Sequence, residues 1–407
     1  MRLGQKTKRI MSAWLAAMLL IGGAAMAEPA EEKAEDLTAL CEMRFSTKEQ
    51  KKPAVRLRDG KYETRWKQQK KGEGWITFRS PDPTKPIAGL YLCFDIIPEK
   101  WEVQVPEEGG WRTVFTGDQR YLHAWVPIEE ASEEIRLLIP KSGEKTQLAE
   151  IRVYGEGSFP DGAQDWQPTV TEADLLFLAT HADDELIFFG GGIPTYAAER
   201  QNRVAVAYLT DCGPRRRNEL LDGLWSMGVR NYPVIGPFPD LHKETMTAEY
   251  RAMGGKKKVL GWVVELLRSL RPKVIVTQDK KGEYGHIQHR LCAAIAQLAY
   301  DEAANPESYP ESAERYGTWQ AQKLYLHLYK ENRITMDWTV PLTALGGITG
   351  IEAAERAYTY HVSQQGTSMS VTKTGTKYDN RIFGLCRTEV GTDSLGGDFL
   401  ENILTNE

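Results

Sequence analysis

The segment His181–Glu185 combines one histidine with three consecutive carboxylates, directly after the apolar run Leu175–Ala179. Such a run is typical of a buried strand, and polar side chains at its carboxyl end lie where open α/β sheets place their ligands. His181 and Asp184 are three residues apart, so both can face one cation at a turn into a helix. Asp183 is then free for proton transfer. The alternative is a solvated turn whose aspartates cap the next helix.

A second cluster favours a catalytic site. His286 and His289 follow another apolar run, Pro272–Thr277, and precede a helical pattern over residues 290–300. Three of the seven histidines therefore lie between a strand and a helix. Two imidazoles and one carboxylate are the ligand set of a catalytic zinc site that keeps one position open for water.

These motifs resemble those of a known family. His181–Glu185 is similar to the AHPDDE signature of the PIG-L (LmbE-like) de-N-acetylases, and Gly285–His289 is similar to their GHPDH element. Arg216–Val229 resembles the R-x-x-E helix of the family, and Phe238–Asp240 resembles its Pro-Asp loop. The resemblance covers about residues 174–403. Members of the family hydrolyse acetamides of amino sugars, or related amides, with one metal ion, usually zinc.

The resemblance implies a Zn²⁺ ion held by His181, Asp184 and His289. Such an ion lowers the pKa of its bound water towards about 7 and polarises the acetyl carbonyl. Asp183 is then the general base. His286 stabilises the oxyanion or acts as the acid, with a role as a fourth metal ligand as the alternative.

Three further residues are candidates for substrate binding. The resemblance implies that Arg216 and Asp240 bind sugar hydroxyls or a phosphate, although an ordinary ion pair of Arg216 with Glu219 on one helical face is the alternative. Tyr284 lies in a glycine-containing loop before the second cluster, and this loop could move over a substrate.

The chain departs from the family pattern at Gln288, where the relatives have an aspartate between the two histidines. A carboxylate there could accept a hydrogen bond from a histidine and favour its charged form, whereas an amide does so less. We therefore expect His286 to be protonated over a more acidic range than in the relatives.

Patterning divides the chain into five segments. Residues 1–27 combine four cations, a short apolar run and small residues at Ala25–Ala27, which is typical of a secretory signal peptide; an uncleaved anchor is the alternative. Residues 28–39 form an acidic flexible tail, and residues 158–172 a Pro- and Gly-containing linker. Short alternating runs over residues 40–157 predict a β-sandwich, which the linker should make separable.

Residues 173–407 predict an α/β domain with a Rossmann-like parallel sheet, because buried strands alternate with helical patterns. The helical patterns lie near Glu185–Gln201, Arg216–Met227 and Lys256–Leu270. In the sandwich, Leu57–Trp66 and Leu148–Gly155 resemble parts of a discoidin-like (coagulation-factor C-type) galactose-binding-fold module. The tryptophans of the predicted sandwich could form a platform that binds a sugar. Because they occur at strand spacing, the alternative is that they form the core. They are Trp66, Trp75, Trp101, Trp111 and Trp125.

Charge and cysteine content exclude several classes. The formal net charge is −5, and loss of the four cations of residues 1–27 would make it −9. Such a chain lacks the basic surface that nucleic acid or anionic lipid requires. Five cysteines without C-x-x-C spacing indicate neither a disulfide framework nor a thiolate metal site. An exported protein that does not depend on disulfides is typical of a bacterial cell surface or secretome. We expect no stable membrane span once the signal peptide is cleaved.

Two classes of function remain after these exclusions. The first is an exported zinc-dependent deacetylase whose partner is an N-acetylated amino sugar or glycan. The second is a carbohydrate-binding protein whose α/β domain has lost its catalytic activity. An amidase acting on a non-acetyl amide is a third possibility, because a fold and a metal do not fix the acyl group.

Overall fold

The computed structural model describes residues 32–49, 51–68, 73–117, 121–140, 146–367 and 369–404. The predicted signal peptide, residues 1–27, lies outside these ranges. Among the helices within them, none is both long and apolar enough to cross a membrane.

The first domain is an antiparallel β-sandwich, as the sequence predicts. One sheet has the strand order β1-β3-β8-β5-β6 and the other β2-β9-β4-β7, and apolar side chains from both sheets form one core. Its elements are β1 (Glu42–Phe45), α1 (Lys51–Arg56), β2 (Trp66–Lys67), β3 (Gly74–Arg79), β4 (Ile87–Ile96), β5 (Trp101–Glu107), β6 (Gly110–Gly117), β7 (His123–Ser132), β8 (Glu134–Ile139) and β9 (Gln147–Tyr154).

The second domain alternates strands and helices. Its strands are β10 (Leu175–Ala179), β11 (Val204–Asp211), β12 (Val234–Pro239), β13 (Val274–Thr277), β14 (Lys323–His327), β15 (Arg333–Thr335), β16 (Pro341–Leu342), β17 (Ile348–Thr349) and β18 (Ile382–Thr388). Its helices are α2 (Asp184–Ile187), α3 (Gly192–Pro194), a π-helical turn (Thr195–Glu199), α4 (Gly213–Ser226), α5 (Met246–Ala252), α6 (Lys256–Leu270), α7 (Ile287–Glu302), α8 (Pro310–Tyr316) and α9 (Gly350–Tyr358), with 3₁₀ turns at Thr343–Leu345 and Val362–Gln364.

Seven strands of this domain form one sheet, in the order β12-β11-β10-β13-β14-β18-β15. The first five are parallel, and β18 runs antiparallel to both β14 and β15. Leu175 of β10 is in register with Val204 of β11 and with Val274 of β13. The predicted parallel sheet is therefore confirmed, and the carboxyl ends of β10 and β13 lie side by side, where such sheets place their ligands.

Residues 32–39 pack against the sandwich, which corrects the predicted flexible tail in the part that the structure describes. Leu37 is only 1% exposed, and its N–H donates to the carbonyl of Val153 at 2.8 Å. Burial of this apolar side chain outweighs the acidic composition that suggested a free tail.

Helix α4 of the second domain joins the two domains through buried hydrogen bonds. Asn218 is fully buried; its Oδ1 lies 2.8 Å from Nε2 of His123, and its Nδ2 donates to the carbonyl of Phe94 at 3.2 Å. The hydroxyl of Tyr62 donates to Asp222 Oδ2 at 2.7 Å. Buried polar groups need such partners, so each domain satisfies groups of the other.

The segment predicted as a linker is packed between the domains. Trp166 is 3% exposed and lies with its ring centroid 5.4 Å from Trp225 and 5.6 Å from Tyr232. The apolar core is continuous from the sandwich into the second domain. This packing argues against the separable sandwich that the Pro- and Gly-containing composition suggested.

We therefore expect a chain starting at Thr169 to lose most of its cooperative stability, because Asn218 and the aromatic side chains against Trp166 become exposed. Thermal unfolding and size-exclusion chromatography measure this, with a chain starting at Glu32 as the control that keeps the described contacts. A Thr169 fragment that is monomeric and melts at the temperature of the control would contradict the shared core.

Candidate active site

The two histidine clusters meet at the carboxyl edge of the sheet. His181 and Asp184 follow β10, and His289 lies in the first turn of α7, which begins after the loop that follows β13. The three side chains are buried, with exposures of 6% for His181, 3% for Asp184 and 0% for His289. Adjacent parallel strands bring together residues that are more than a hundred positions apart in the sequence.

Three side-chain atoms form a nearly equilateral triangle. Asp184 Oδ2 lies 3.1 Å from His181 Nδ1 and 3.2 Å from His289 Nε2, and the two nitrogens are 3.2 Å apart. The N–H of His181 also donates to Asp184 Oδ2 at 2.8 Å, which fixes the carboxylate at the start of α2.

This donor set suits a divalent cation. Two imidazole lone pairs and one carboxylate oxygen at these separations repel each other unless a proton or a cation lies among them. A zinc ion bound at about 2.0–2.2 Å from nitrogen and oxygen ligands would satisfy all three. The ligand atoms of His181, His286 and His289 also lie within 4.8 Å of one another, so the wider cluster is rich in metal donors.

A buried carboxylate orients His289. Glu283 Oε2 lies 2.7 Å from His289 Nδ1, and its Oε1 lies 3.1 Å from His327 Nδ1. His289 is thereby left with Nε2 facing the triangle, the arrangement in which an outer partner fixes the tautomer of a ligating histidine. Neither role is predicted from the sequence, because neither Glu283 nor His327 lies at a motif position.

The side chain of Gln288 contacts His181 and not the ring of His286. Its Oε1 lies 2.8 Å from His181 Nε2 and accepts the N–H of Leu241 at 3.1 Å, while its Nε2 donates to the carbonyl of Pro239 at 3.1 Å. This side chain therefore does not act on His286 through a hydrogen bond; burial and the nearby His289 and His181 instead lower the pKa of His286 to about 3. Because the amide oxygen accepts a hydrogen bond from the Nε2–H of His181, Gln288 leaves the unprotonated Nδ1 of that ring for the triangle.

The ring of His286 lies beside the triangle and is half-buried. Its Nδ1 accepts the backbone N–H of Gln288 at 3.2 Å and so caps α7, and its Nε2 is 3.5 Å from Nδ1 of the exposed His242. In a neutral ring whose Nδ1 accepts a hydrogen bond, the proton is on Nε2. This arrangement suits a hydrogen-bond donor better than a fourth metal ligand.

Asp183 lies between the triangle and Arg216. Its Oδ1 accepts a hydrogen bond from Arg216 Nη2 at 3.2 Å, and Arg216 also donates to the carbonyl of Ala182. Arg216 Nη1 pairs with Asp240 Oδ2 at 3.0 Å. Arg216 and Asp240, both predicted to bind substrate, are thus brought together, and Arg216 also positions Asp183.

The backbone of Asp183 is strained, with φ of 128° and ψ of −26°. A residue other than glycine rarely adopts a positive φ, and such strain is concentrated at functional sites. The N–H of Asp183 donates to Oε2 of Glu185 at 2.9 Å. Glu185 is itself fully buried, and its Oε1 lies 3.7 Å from Nε2 of the buried His361. Burial raises the pKa of Glu185 to about 8, so ionisation of this carboxyl is disfavoured near neutral pH.

The charges of the site are strongly coupled. Burial and the negative charge of Asp184 raise the pKa of Asp183. Burial opposes ionisation of Asp184, but His289 and His181 outweigh it and hold the pKa well below the usual range. Burial would lower the pKa of His289, yet Asp184 and Glu283 raise it to about 10. The same negative surroundings that retain this proton would attract a cation in its place.

A cavity of about 210 Å³ opens onto these groups. Tyr284 stands at its mouth, 47% exposed, with its ring centroid 5.7 Å from that of His286. The opposite wall includes Gln364, which is held because Glu219 accepts hydrogen bonds from the backbone and side chain of Ser363. The lining residues are His181, Asp183, Asp184, Ile187, Phe188, Arg216, Asp240, Tyr284, His286, Gln364, Thr367 and Met369.

Comparison with known proteins identifies the central part of the chain. Residues 176–300 match the family model described as PIG-L: GlcNAc-PI de-N-acetylase, and they form a PIG-L family domain. The 1D-myo-inositol 2-acetamido-2-deoxy-alpha-D-glucopyranoside deacetylase 1 of Frankia casuarinae is 27% identical over 212 residues, which are 43% of this chain and 67% of the relative. The chain spans about three fifths to two thirds of the length of the first curated relatives that it matches.

Solved structures are similar to each domain separately. The N,N'-diacetylchitobiose deacetylase from Pyrococcus horikoshii matches 49% of this chain and 74% of its own, with 18% identity and a TM-score of 0.38. The F5/8 type C domain of a Bacteroides fragilis protein matches 30% of this chain and 96% of its own, with 20% identity and a TM-score of 0.25.

We expect Glu283→Gln to weaken metal binding by about 10- to 100-fold, the usual effect of losing an outer partner of a ligating histidine. Competition with a chelator measures the affinity, and His289→Ala should remove the metal entirely. His242→Ala, which alters an exposed imidazole at the same mouth, is the control and should keep full affinity. Unchanged affinity in Glu283→Gln would show that this carboxylate does not orient a ligand.

Proposed function

We propose that this chain is a metal-dependent hydrolase that removes the acetyl group from an N-acetylated amino sugar or glycan. The observation that carries the proposal is the triangle of His181 Nδ1, Asp184 Oδ2 and His289 Nε2, with Asp183 and His286 beside it in one cavity. The PIG-L domain, and relatives named as deacetylases of an acetamido sugar, support the same chemistry.

His181, Asp184 and His289 would hold the ion, for which we propose zinc. When bound, zinc supplies a nucleophile from water at neutral pH and polarises the amide carbonyl. The donor set of two imidazoles and one carboxylate supports zinc, because these are its usual catalytic ligands with one position left for water.

Asp183 is the proposed general base. Its Oδ1 is held by Arg216, and among the described residues Oδ2 has no hydrogen-bond partner. Oδ2 can therefore accept the proton of the attacking water and later deliver it to the amine nitrogen that leaves. The buried Glu185 supports this role, because it holds the backbone N–H of Asp183 and so fixes the strained conformation.

His286 is the proposed donor to the oxyanion. With Nδ1 occupied by the N–H of Gln288, the proton on Nε2 is available to the tetrahedral intermediate. A preorganised donor of this kind costs no reorganisation as negative charge develops on the acetyl oxygen.

The cavity walls fit a sugar that carries an acetamide. Ile187, Phe188 and Met369 offer apolar surface, and the hydroxyl of Tyr284 and the carboxylate of Asp240 offer hydrogen bonds to sugar hydroxyls. Arg216 contributes mainly by positioning Asp183 and Asp240, because its guanidinium already pairs with both. The complete set of groups also argues against the alternative of an inactive binding protein.

We further propose that the protein acts outside the cell, at the surface or in secreted form. The signal-peptide pattern of residues 1–27 supports export. The sandwich domain, joined to α4 by Asn218 and Asp222, would then be an accessory domain that also braces the helix carrying Arg216.

Asp183→Asn should keep the metal and the fold while kcat falls by about 10²–10⁴-fold, the usual contribution of a positioned proton-transfer group. Acetate release from N-acetylglucosamine oligosaccharides, measured with metal content, tests this. Asp211→Asn, at an exposed position at the end of β11, is the matched control and should retain full activity. If Asp183→Asn lost the metal while Asp184→Asn kept it, the two aspartates would have the opposite roles.

A further inference from the structure

A second cavity, of about 640 Å³, lies on the other side of the loop that carries Tyr284. Among its lining residues are five exposed cations, which we call the basic pocket: Lys280, Lys281, Lys330, Arg333 and Lys377. Within the described ranges, none of the five makes an ion pair within 4.0 Å. The cavity is therefore locally basic on a chain whose formal net charge is −5.

The acidic side chains that line the same cavity offset only part of this positive charge, and Asp279 does so through Lys281. Glu283 is buried and bonded to His289 and His327, and Asp379 is 5% exposed and pairs with Arg381 at 2.8 Å. Asp279 is 7% exposed. Glu331 is the remaining carboxylate, so the exposed charges on the described wall are five cations and one anion.

Two tyrosine rings give the basic pocket an aromatic surface. The ammonium group of Lys280 lies 6.0 Å from the ring centroid of Tyr329, and that of Lys377 lies 4.9 Å from the ring centroid of Tyr378. Aromatic rings next to cationic groups provide an apolar face for a sugar ring and charge for an acidic substituent.

The sheet topology places the basic pocket beside the metal-ligand triangle. The loop after β13 carries Lys280 and Lys281, the turn after β14 carries Lys330, and Lys377 precedes the antiparallel β18, so all of them lie at the carboxyl edge. Glu283 lines the basic pocket and bonds the proposed ligand His289 at 2.7 Å. The next residue, Tyr284, lines the catalytic cavity.

We infer that the basic pocket binds an anionic group, a carboxylate or a phosphate, on the same glycan whose acetamide enters the catalytic cavity. This inference rests on the proposed function, and it narrows the substrate class to acidic glycans that contain N-acetylated amino sugars. The exposed cations attract the anionic chain and set its register, so that a neighbouring N-acetyl group reaches Asp183 and His286.

The test compares three kinds of N-acetylglucosamine oligosaccharide of equal length on the full-length, metal-loaded protein. One is neutral, one alternates with glucuronic acid, and one carries phosphate groups. The test variant combines Lys281→Ala, Lys330→Ala and Arg333→Ala. The control combines Lys48→Ala, Lys51→Ala and Lys52→Ala, which removes the same charge from exposed positions of the sandwich. Calorimetry on the Asp183→Asn background of each variant gives Kd without turnover, and acetate release by the active proteins gives KM and kcat.

We expect at least one acidic oligosaccharide to bind about 10-fold or more tightly than the neutral one, with the advantage falling as salt rises. The test variant should remove this advantage and leave the neutral oligosaccharide unchanged, whereas the control variant should retain it. Whichever acidic oligosaccharide binds more tightly, the one with glucuronic acid or the one with phosphate, identifies the anion that the basic pocket prefers.

Two results would overturn the inference: equal Kd values for neutral and acidic oligosaccharides, or an equal loss for both in the test variant. The proposed function fails in a different way. If acidic oligosaccharides bound through the basic pocket but no oligosaccharide released acetate, the anion-binding inference would be supported and the proposed deacetylase activity would be wrong.

Discussion

One carboxylate oxygen, Asp184 Oδ2, determines the organisation of the site, because it lies within 3.2 Å of His181 Nδ1 and of His289 Nε2. Three electron-rich atoms this close are stable only with a shared proton or cation. The parallel pairing of β10 with β13 supplies the two histidines, and the N–H of His181 fixes the carboxylate. Gln288 and Glu283 then bind the outer nitrogens of the two rings, so both inner nitrogens face Asp184.

The functional groups around this triangle depend on elements far away in the chain. Arg216 holds Asp183, and it is carried by α4, whose other face is bonded to the sandwich through Asn218. The wall that carries Gln364 depends on Glu219 of the same helix. The sandwich is therefore part of the scaffold of the candidate active-site cavity, and a change at the domain interface can reach Asp183 through α4.

Much of this arrangement could be predicted from the sequence, because it depends on strand patterns and motif spacing. The runs that end before His181 and before His286 are strands β10 and β13. The helix predicted over residues 185–201 is instead broken, since Gly190 has a positive φ of 53°. The role of Glu283 and the contact of Gln288 with His181 could not be predicted, because they depend on the path of a loop in three dimensions. The packing of the predicted linker between the domains could not be predicted either, because Trp166 is a single core residue in an otherwise polar segment.

The most direct test of the metal site is a crystal structure of the protein loaded with zinc, with anomalous scattering measured at the zinc edge. We expect one peak, coordinated by Nδ1 of His181, Oδ2 of Asp184 and Nε2 of His289, with His286 and Asp183 outside the coordination sphere. A peak coordinated by His286 in place of Asp184, or no peak among these residues at full zinc loading, would contradict it.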